Sequence, residues 1–588
     1  MTLSYHDRAS FETTKRLLAE VVNEGLASAT LKFSENIANQ QQRLVLHNPQ
    51  NPFSKSQSWV EVGLQQGTYI GRQSDKVVSL VRAECLQPPV MVGDITTGER
   101  EELNPAAILE VMIPWLLSEA SEALLIKVGR ELQNSSINQE KWLEISAKQK
   151  RLQLNSSSSE WEGSLVFGHP SHPFHRLCYP QHPLKSLSPD DIPGMITPTL
   201  AFVSVPRTDM RITGPFEEKL NPLLVRLSIP QTAKDRIIVP CLQQQLPAIY
   251  HYFPNAALLK TVSECVDAQA SMRTLTPRPE LNFDYHLKLA LACQITSALR
   301  TITPWTTVGS SFVTQVLEKF LPPDMWVFKE VAAITGAQDD FSQAKHMSCI
   351  LRSDLQERAR NNNETLILAA GLTQVPLDTD RSYAEILYNL DTLHKKKEWL
   401  RKYVKCLFEL ALRPLVDHGI GLEGHGQNLV ARICLRTGDL KGFAVRDFGG
   451  VRIHVPTLEP NGVNFDAMPP GSATMTHELH NVWSKVHHSL LQNHVGNLIS
   501  ALDLETDGGW TIVREEMAKV LRPEEDIQGQ KLYEFFLKDT MPFKCFLRMR
   551  MEGKYRDYVE REVPNVLLMA SPQWETILKT YQPSLYRT

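Results

Sequence analysis

Residues 421–450 read GLEGHGQNLVARICLRTGDLKGFAVRDFGG, and three features coincide in them. A loop carries Glu423, His425, Gln427 and Asn428, an apolar run spans 429–435, and a second run, 442–445, ends in Arg446-Asp447. Alternation on both sides of Arg436-Thr437-Gly438-Asp439 predicts two antiparallel strands joined by a hairpin turn. Such a hairpin returns Asp447 to the loop that holds Asn428. An Asn amide oxygen and a carboxylate are hard oxygen ligands, suited to Mg2+ bridging the phosphates of a nucleotide. The stretch therefore reads as a nucleotide site, against the plainer reading of a polar loop whose Asn and Asp are turn residues.

Upstream, 383–416 carries a long helical pattern, so the order of parts is helix, loop, hairpin and Arg-Asp-Phe-Gly. Protein kinases present the same order, with a catalytic-loop Asn and a following DFG Asp that hold metal ions. The chain has no HRD before the Asn, no kinase-type Gly-rich loop and no VAIK strand, which makes a protein kinase the weaker inference.

The 588 residues allow two to four domains, and 42% hydrophobic with 22% charged is ordinary globular composition, ample for sizeable cores. A net charge of -4 gives no electrostatic case for nucleic acid or membrane partners. The nine cysteines contain no CxxC pair, so neither a disulfide framework nor a zinc ribbon is signalled. No run approaches a membrane span, and the N-terminus has no apolar signal core, which makes the cytoplasm the expected location.

Residues 10–27 predict a helix, 44–46, 59–64 and 77–81 short strands, and Asn104-Pro105 a helix start, with a further helix over 123–132. The polar stretch 134–159 reads as a boundary or solvated connection. After it, FGHPSHPFHRLCYPQHP at 167–183 places His169, His172, His175 and His182 among prolines that stiffen the backbone. Rigid chain holding imidazoles and Arg176 suits an anionic ligand; a Pro-rich surface loop and a metal site are the alternatives.

A third cluster combines Ser271, Met272, Arg273 and Thr274 with Lys288, Thr296 and Arg300. On a helix beginning near Tyr285, Thr296 and Arg300 sit one turn apart with Lys288 on a similar side. Leu and Ala surround these cations instead of acids, which favours an external anion over a solvated basic face. Beyond 474 the periodicity is mainly helical, over 479–504, 509–521, 530–537 and 543–551. His480, His487, His488 and His494 read there as packing or exposed residues, and Arg548, Arg550 and Arg556 as a basic face, solvated or reaching an anionic substrate.

Taken together, GHPSHP at 168–173, SMRT at 271–274, Lys288 with ITSALR at 295–300, and EGHGQN with RDFGG at 423–450 resemble the NRPS-independent siderophore synthetases, the IucA/IucC family. The resemblance implies an α+β fold of thumb, fingers and palm with a kinase-like palm, divided here as 1–155, 156–375 and 376–588. It implies an ATP-dependent ligase that adenylates citrate or a citrate derivative, loses pyrophosphate, and joins the acyl group to an amine or alcohol with release of AMP. By the same resemblance Ser271, Arg273, Thr274, Lys288, His425, Asn428 and Asp447 hold ATP, and Glu423, Asn428 and Asp447 hold Mg2+. His169, His172, Thr296, Arg300 and Gln427 contact the carboxylate substrate, with His425, Arg300 and Lys288 as the catalytic group. A homodimer is the family habit.

The physical fit is direct: two polyanions react, so Arg, Lys and Mg2+ must offset their repulsion and hold them in line. The chain departs from the family at VPCLQQQ, 239–245, where Leu242 replaces a His, and at FHRLCYP, where Arg176 stands for a Lys and changes the hydrogen-bond geometry. The acid (citrate, a citrate monoamide or 2-oxoglutarate) and the nucleophile (polyamine, amino acid or amino alcohol) stay open. The rivals are a kinase-like phosphotransferase that releases ADP and a nucleotide- or citrate-binding regulator without turnover.

Overall fold

A computed structural model describes residues 3–33, 42–49, 58–94, 98–296, 298–554 and 559–583. The N-terminal helix Tyr5–Asn23 starts where the Ser4 hydroxyl accepts from the Asp7 N–H, and it lies against the helix Glu122–Ser146. Both cover an antiparallel seven-stranded sheet, whose strands 42–47, 58–64 and 86–94 alternate Leu44, Leu46, Val60, Val62, Val90 and Val92 into one core. The helix Pro105–Leu116 closes the same core, capped by Asn104 with Pro at its first position as the sequence predicts.

The polar stretch after residue 133 is helical as far as Ser146, contrary to a solvated connection. Its polar side chains are buried because they hold the histidine loop. Ser135 Oγ accepts from the Arg176 N–H (3.0 Å), Asn138 donates to Arg176 O (3.0 Å) and Gln139 donates to Val166 O (3.2 Å). A polar helix face normally means solvent; here it meets a loop whose backbone needs partners.

The middle of the chain forms a six-stranded sheet in which Tyr285–Leu289 lies between Thr274–Pro277 and Ser348–Ser353. This overturns the helix expected from Tyr285. His286 to Leu289 alternates polar and apolar residues as a strand does, with His286 and Lys288 buried on one face and Leu287 and Leu289 on the other; the helix reading followed the spacing of Lys288, Thr296 and Arg300 instead. Cys293–Ile295 and Ala298–Leu299 then form a small hairpin with Thr296 in its turn. Thr296 and Arg300 therefore owe their proximity to this strand pairing, with the Arg300 guanidinium 3.4 Å from the Thr296 hydroxyl.

The C-terminal part confirms the hairpin: Leu429–Cys434 pairs antiparallel with Leu440–Val445, Leu429 opposite Val445, and every residue of the first strand is buried. The predicted helix over 383–416 is two, Tyr383–Leu387 and Leu393–His418; the second ends at Gly419 in the left-handed region (φ 64°). Its Leu400, Val404, Leu407 and Ala411 pack into a core shared with the helix Gly509–Leu521. Residues 479–501 form one continuous helical rod: Leu479–Val486 is α-helical, His487–Val495 is wound as a π-helix and Gly496–Ala501 is α-helical again. The segment expected as a helix over 543–551 divides into a strand, Thr540–Lys544, and a helix, Phe546–Met551. Arg548 and Arg550 are no solvated face: they are buried and paired with Glu119 and Glu131. Arg556 lies outside the described residues.

Candidate functional site

A cavity of about 540 Å³ opens where these parts meet. Its wall includes Ser271, Arg273 and Thr274, Thr296 and Arg300, His169 and His172, and Glu423, His425, Gln427, Asn428 and Asp447. All the site residues expected from sequence thus face one space, except Lys288, which is buried behind the wall. Far from lacking acids, Lys288 donates to Asp447 Oδ1 (2.6 Å) and Glu330 Oε1 (3.1 Å).

Each group is set by local structure. Ser271–Arg273 turns between the strands Val266–Ala268 and Thr274–Pro277; Met272 takes φ 62°, and Ser271 Oγ accepts from the Thr274 N–H (3.2 Å). Arg273 is anchored by one arm of its guanidinium to the Arg300 and Thr301 carbonyls (3.1 and 2.8 Å), while its Nε, like that of Arg300, is buried without a partner. Unsatisfied buried cationic donors are costly and point to an anion that completes them. Burial, then repulsion from Arg273, lowers Arg300 to about 10, so it stays cationic at neutral pH.

On the facing wall the Arg446 N–H donates to Asn428 O (3.0 Å), closing the return that sets Asp447 beside the loop. Asp447 itself has φ 62°, the left-handed region that L-residues seldom adopt, as is common at functional sites. Burial works against its charge, but Lys288 and Arg273 outweigh burial and hold the carboxyl far below the usual carboxylate range. Glu423 is likewise held at about 2, with Lys485 and His425 overcoming burial. Gly450 lies so close to the Glu423 carboxylate that any side chain there would displace it. Both carboxylates are ionised at neutral pH, and Asn428 Nδ2 donates to Glu423 Oε2 (3.3 Å), leaving its amide oxygen for another partner.

The histidines divide. His169 Nδ1 accepts from the His172 N–H (3.1 Å) and His172 Nδ1 from the Phe174 N–H (3.1 Å), so in both neutral rings the proton sits on Nε2. His172 Nε2 is buried without a partner. Burial, followed by His425, pushes His169 down to about 3, and burial with His169 holds His172 well below the usual imidazole value. These two are neutral donors. His175, by contrast, is consumed by Phe167 O and Thr13 Oγ1, and His182 stands outside the cavity beside His251. Arg176 borders the cavity but spends its guanidinium on the Leu165 and Val166 carbonyls and stacks over Trp142 (4.0 Å), so its expected anion-donor role gives way to bracing. Gln245 of the altered 239–245 segment is also a brace: it donates to His346 O and accepts from the Ala292 N–H, outside the cavity.

The sequence reading missed several contributors. Glu162 holds Arg446 with both oxygens and accepts from the Ala270 N–H (3.0 Å), tying the hairpin to the Ser271 turn. Lys485, His488, His494, Lys544 and Phe546 also line the cavity; His488 and His494, expected as packing or exposed helix residues, stand at its wall. Only their three-dimensional neighbours reveal them; no local motif marks them.

Among the described residues no group of three or more His, Cys, Asp or Glu side chains could hold a metal unaided. Glu423, Asn428 and Asp447 instead offer a partial oxygen set, which fits Mg2+, an ion commonly bound by one or two carboxylates with phosphate and water completing its shell.

The family model described as IucA / IucC family matches residues 255–374, and one described as ferric iron reductase FhuF-like transporter matches 397–559. The chain is 47% identical over 600 residues to the NRPS-independent siderophore synthetase-like protein ankE of Aspergillus thermomutatus, covering 98% of both. The chain belongs to the NRPS-independent siderophore synthetases. A second member of that family, the NRPS-independent siderophore synthetase rfs of Rhizopus delemar, is 33% identical over 467 residues, 76% of this chain and 72% of that one. The architecture agrees: the structure of ATP-bound aerobactin synthetase IucA from Klebsiella pneumoniae superposes with TM-score 0.70 over 96% of this synthetase and 100% of that chain, at 14% identity, which speaks to the α+β fold alone. Among the described residues no helix is long and apolar enough to cross a membrane.

Proposed function

We propose that the chain is an ATP-dependent ligase that adenylates a carboxylate of citrate or a citrate derivative and transfers the acyl group to an amine or alcohol, releasing AMP and pyrophosphate. The observation that carries the reading is the one cavity where Arg273 and Arg300, with buried unpartnered Nε atoms, face His425, Asn428 and Asp447. Membership of the synthetase family and likeness to an ATP-bound relative support ATP as the co-substrate.

In this reading the Ser271–Thr274 turn and Arg273 receive the phosphates, with Lys288 behind Asp447. Glu423, Asn428 and Asp447 would hold Mg2+, which offsets phosphate charge when bound. Arg300 and Thr296, with the Nε2–H donors of His169 and His172, orient the acid, and Gln427 borders it. His425, lowered by burial against the opposing pull of Glu423, is neutral at working pH and donates to the α-phosphate region without adding charge. Arg300 and Lys288 stabilise the charge that develops as the carboxylate attacks and pyrophosphate departs. The thumb, fingers and palm of residues 1–155, 156–375 and 376–588 would close over the pair, and a homodimer follows the family habit.

The test is product analysis with labelled ATP across citrate, a citrate monoamide and 2-oxoglutarate, with hydroxylamine as a generic nucleophile. AMP, pyrophosphate and a hydroxamate are expected with at least one acid. ADP alone would establish the phosphotransferase, and tight ATP binding with no product under any acid and amine would establish the regulator.

A further inference from the structure

The loop that carries Glu423 and His425 is held from behind by a single helical rod. Lys485 reaches Glu423, Ser489 Oγ accepts from the Gly424 N–H (3.2 Å), and His494 Nδ1 lies 3.0 Å from Gly424 O. The three contacts fall at intervals of four and five residues. At 3.6 residues per turn, five residues overshoot one face by about 140°, so an ordinary α-helix that presented Ser489 to the loop would turn His494 away. The rod is π-wound there, and the Gly496 N–H reaches back five residues to Leu491 O. Side chains five apart are consequently neighbours: Gln492 Nε2 meets His487 Nδ1 (2.9 Å) and Asn493 Nδ2 meets His488 Nε2 (3.4 Å). Ser489 and His494 are the third such pair, and both face Gly424. π-turns are rare and recur at functional sites.

The orientation of His494 is fixed at both nitrogens. Gly424 O can only accept, so Nδ1 carries the proton; Nε2 then accepts from the Tyr403 hydroxyl (2.9 Å) on the helix Leu393–His418. The geometry points to the π-helical turn His487–Val495 as a register device, with His494 as a positioning residue that fixes the Glu423–His425 loop for the ligase reaction. This inference rests on the function proposed above. The backbone of Gly424 stands between the two working side chains, so clamping its N–H and its carbonyl sets the aim of both at once.

The experiment compares His494→Ala, His494→Asn and Ser489→Ala by steady-state kinetics and by hydrogen exchange of the 421–428 backbone in the full chain. An Asn amide nitrogen occupies the place of Nδ1 and keeps the bond to Gly424 O while losing the acceptor for Tyr403. We expect His494→Ala to lower kcat about 10- to 100-fold, the usual range for residues that orient a working ligand, with a smaller change in KM for ATP and faster exchange of the loop. His494→Asn restores most of both, and Ser489→Ala gives a milder version of the alanine effect. Loop exchange unchanged in His494→Ala, or His494→Asn no better than alanine, would overturn the assignment. The two failures are separable: if the wild-type chain makes no acyl product, the ligase reading falls, while the exchange measurement still decides the clamp.

Discussion

Asp447 is claimed by two partners in the proposed reaction, Lys288 and a metal ion. Lys288 is 1% exposed and Glu330 is 0% exposed, so bulk water does not reach the amine and its partners are the two carboxylates. Asp447→Asn leaves Lys288 with Glu330, so the fold should persist while pyrophosphate release falls by about 100-fold or more, as when one preorganised electrostatic group is removed. Glu330→Gln acts the other way: Lys288 then leans on Asp447 alone and competes harder with Mg2+. The Mg2+ concentration for half-maximal rate should rise roughly 5- to 10-fold, the factor that about 1 kcal/mol of added attraction represents; an unchanged Mg2+ requirement would refute the competition. At this scale most of the cavity wall was legible in sequence, because Asn428, Asp447, Arg273 and Arg300 sit in short motifs whose residue types match phosphate and carboxylate chemistry. Glu330 was not, since a lone Glu before an apolar strand carries no sign that a Lys 42 residues away will need it.

The elements that aim these side chains depend on buried polar braces, among them Glu162–Arg446, each with a side chain 6% exposed. Glu162 leaves the short helix Ser158–Gly163 to meet the hairpin, while Arg446 also donates to Gln427 O (3.0 Å). Glu162→Gln keeps the shape but strands a buried guanidinium, which costs about 3–5 kcal/mol. A urea titration should show that loss, and a change below about 1 kcal/mol would show that water or Gln269 satisfies Arg446. The hairpin over 429–445 was predictable because alternation and a Gly-containing turn agree. The strand at Tyr285–Leu289 was missed although His-Leu-Lys-Leu alternates, because Leu, Lys and Ala are good helix formers and nothing local records the two neighbouring strands that override that preference. The π-turn was invisible for a related reason: it changes the register of a helix without changing which residues are apolar.

Across the whole molecule, buried ionisable groups pull stability in opposite directions with pH. His169 and His488 are held near 3 and His487 and His494 near 4, chiefly by burial. Their folded values lie below the unfolded 6.5, so the stability they allow is complete above that pH and is lost as pH falls below it. Glu20 and Glu24 act oppositely. Burial and the Glu24 carboxylate push Glu20 well up, and burial raises Glu24 to about 7 although it accepts from the Leu547 and Arg548 N–H groups. Raised acids contribute stability that is complete below the unfolded value of 4.5 and is lost as pH rises through the folded value. The two sets together place the stability maximum between about pH 6 and 7. Glu20→Gln isolates the acid limb, because a neutral amide of the same shape needs no proton. Each buried acid that must stay protonated costs up to about 1.4 kcal/mol per pH unit, so the decline in unfolding free energy between pH 6 and 8 should be shallower in Glu20→Gln by that order. The variant and the wild type should converge near pH 5. Parallel stability curves for the two chains from pH 5 to 8 would show that Glu20 is ionised in the folded state, with Arg548 or another cation meeting it.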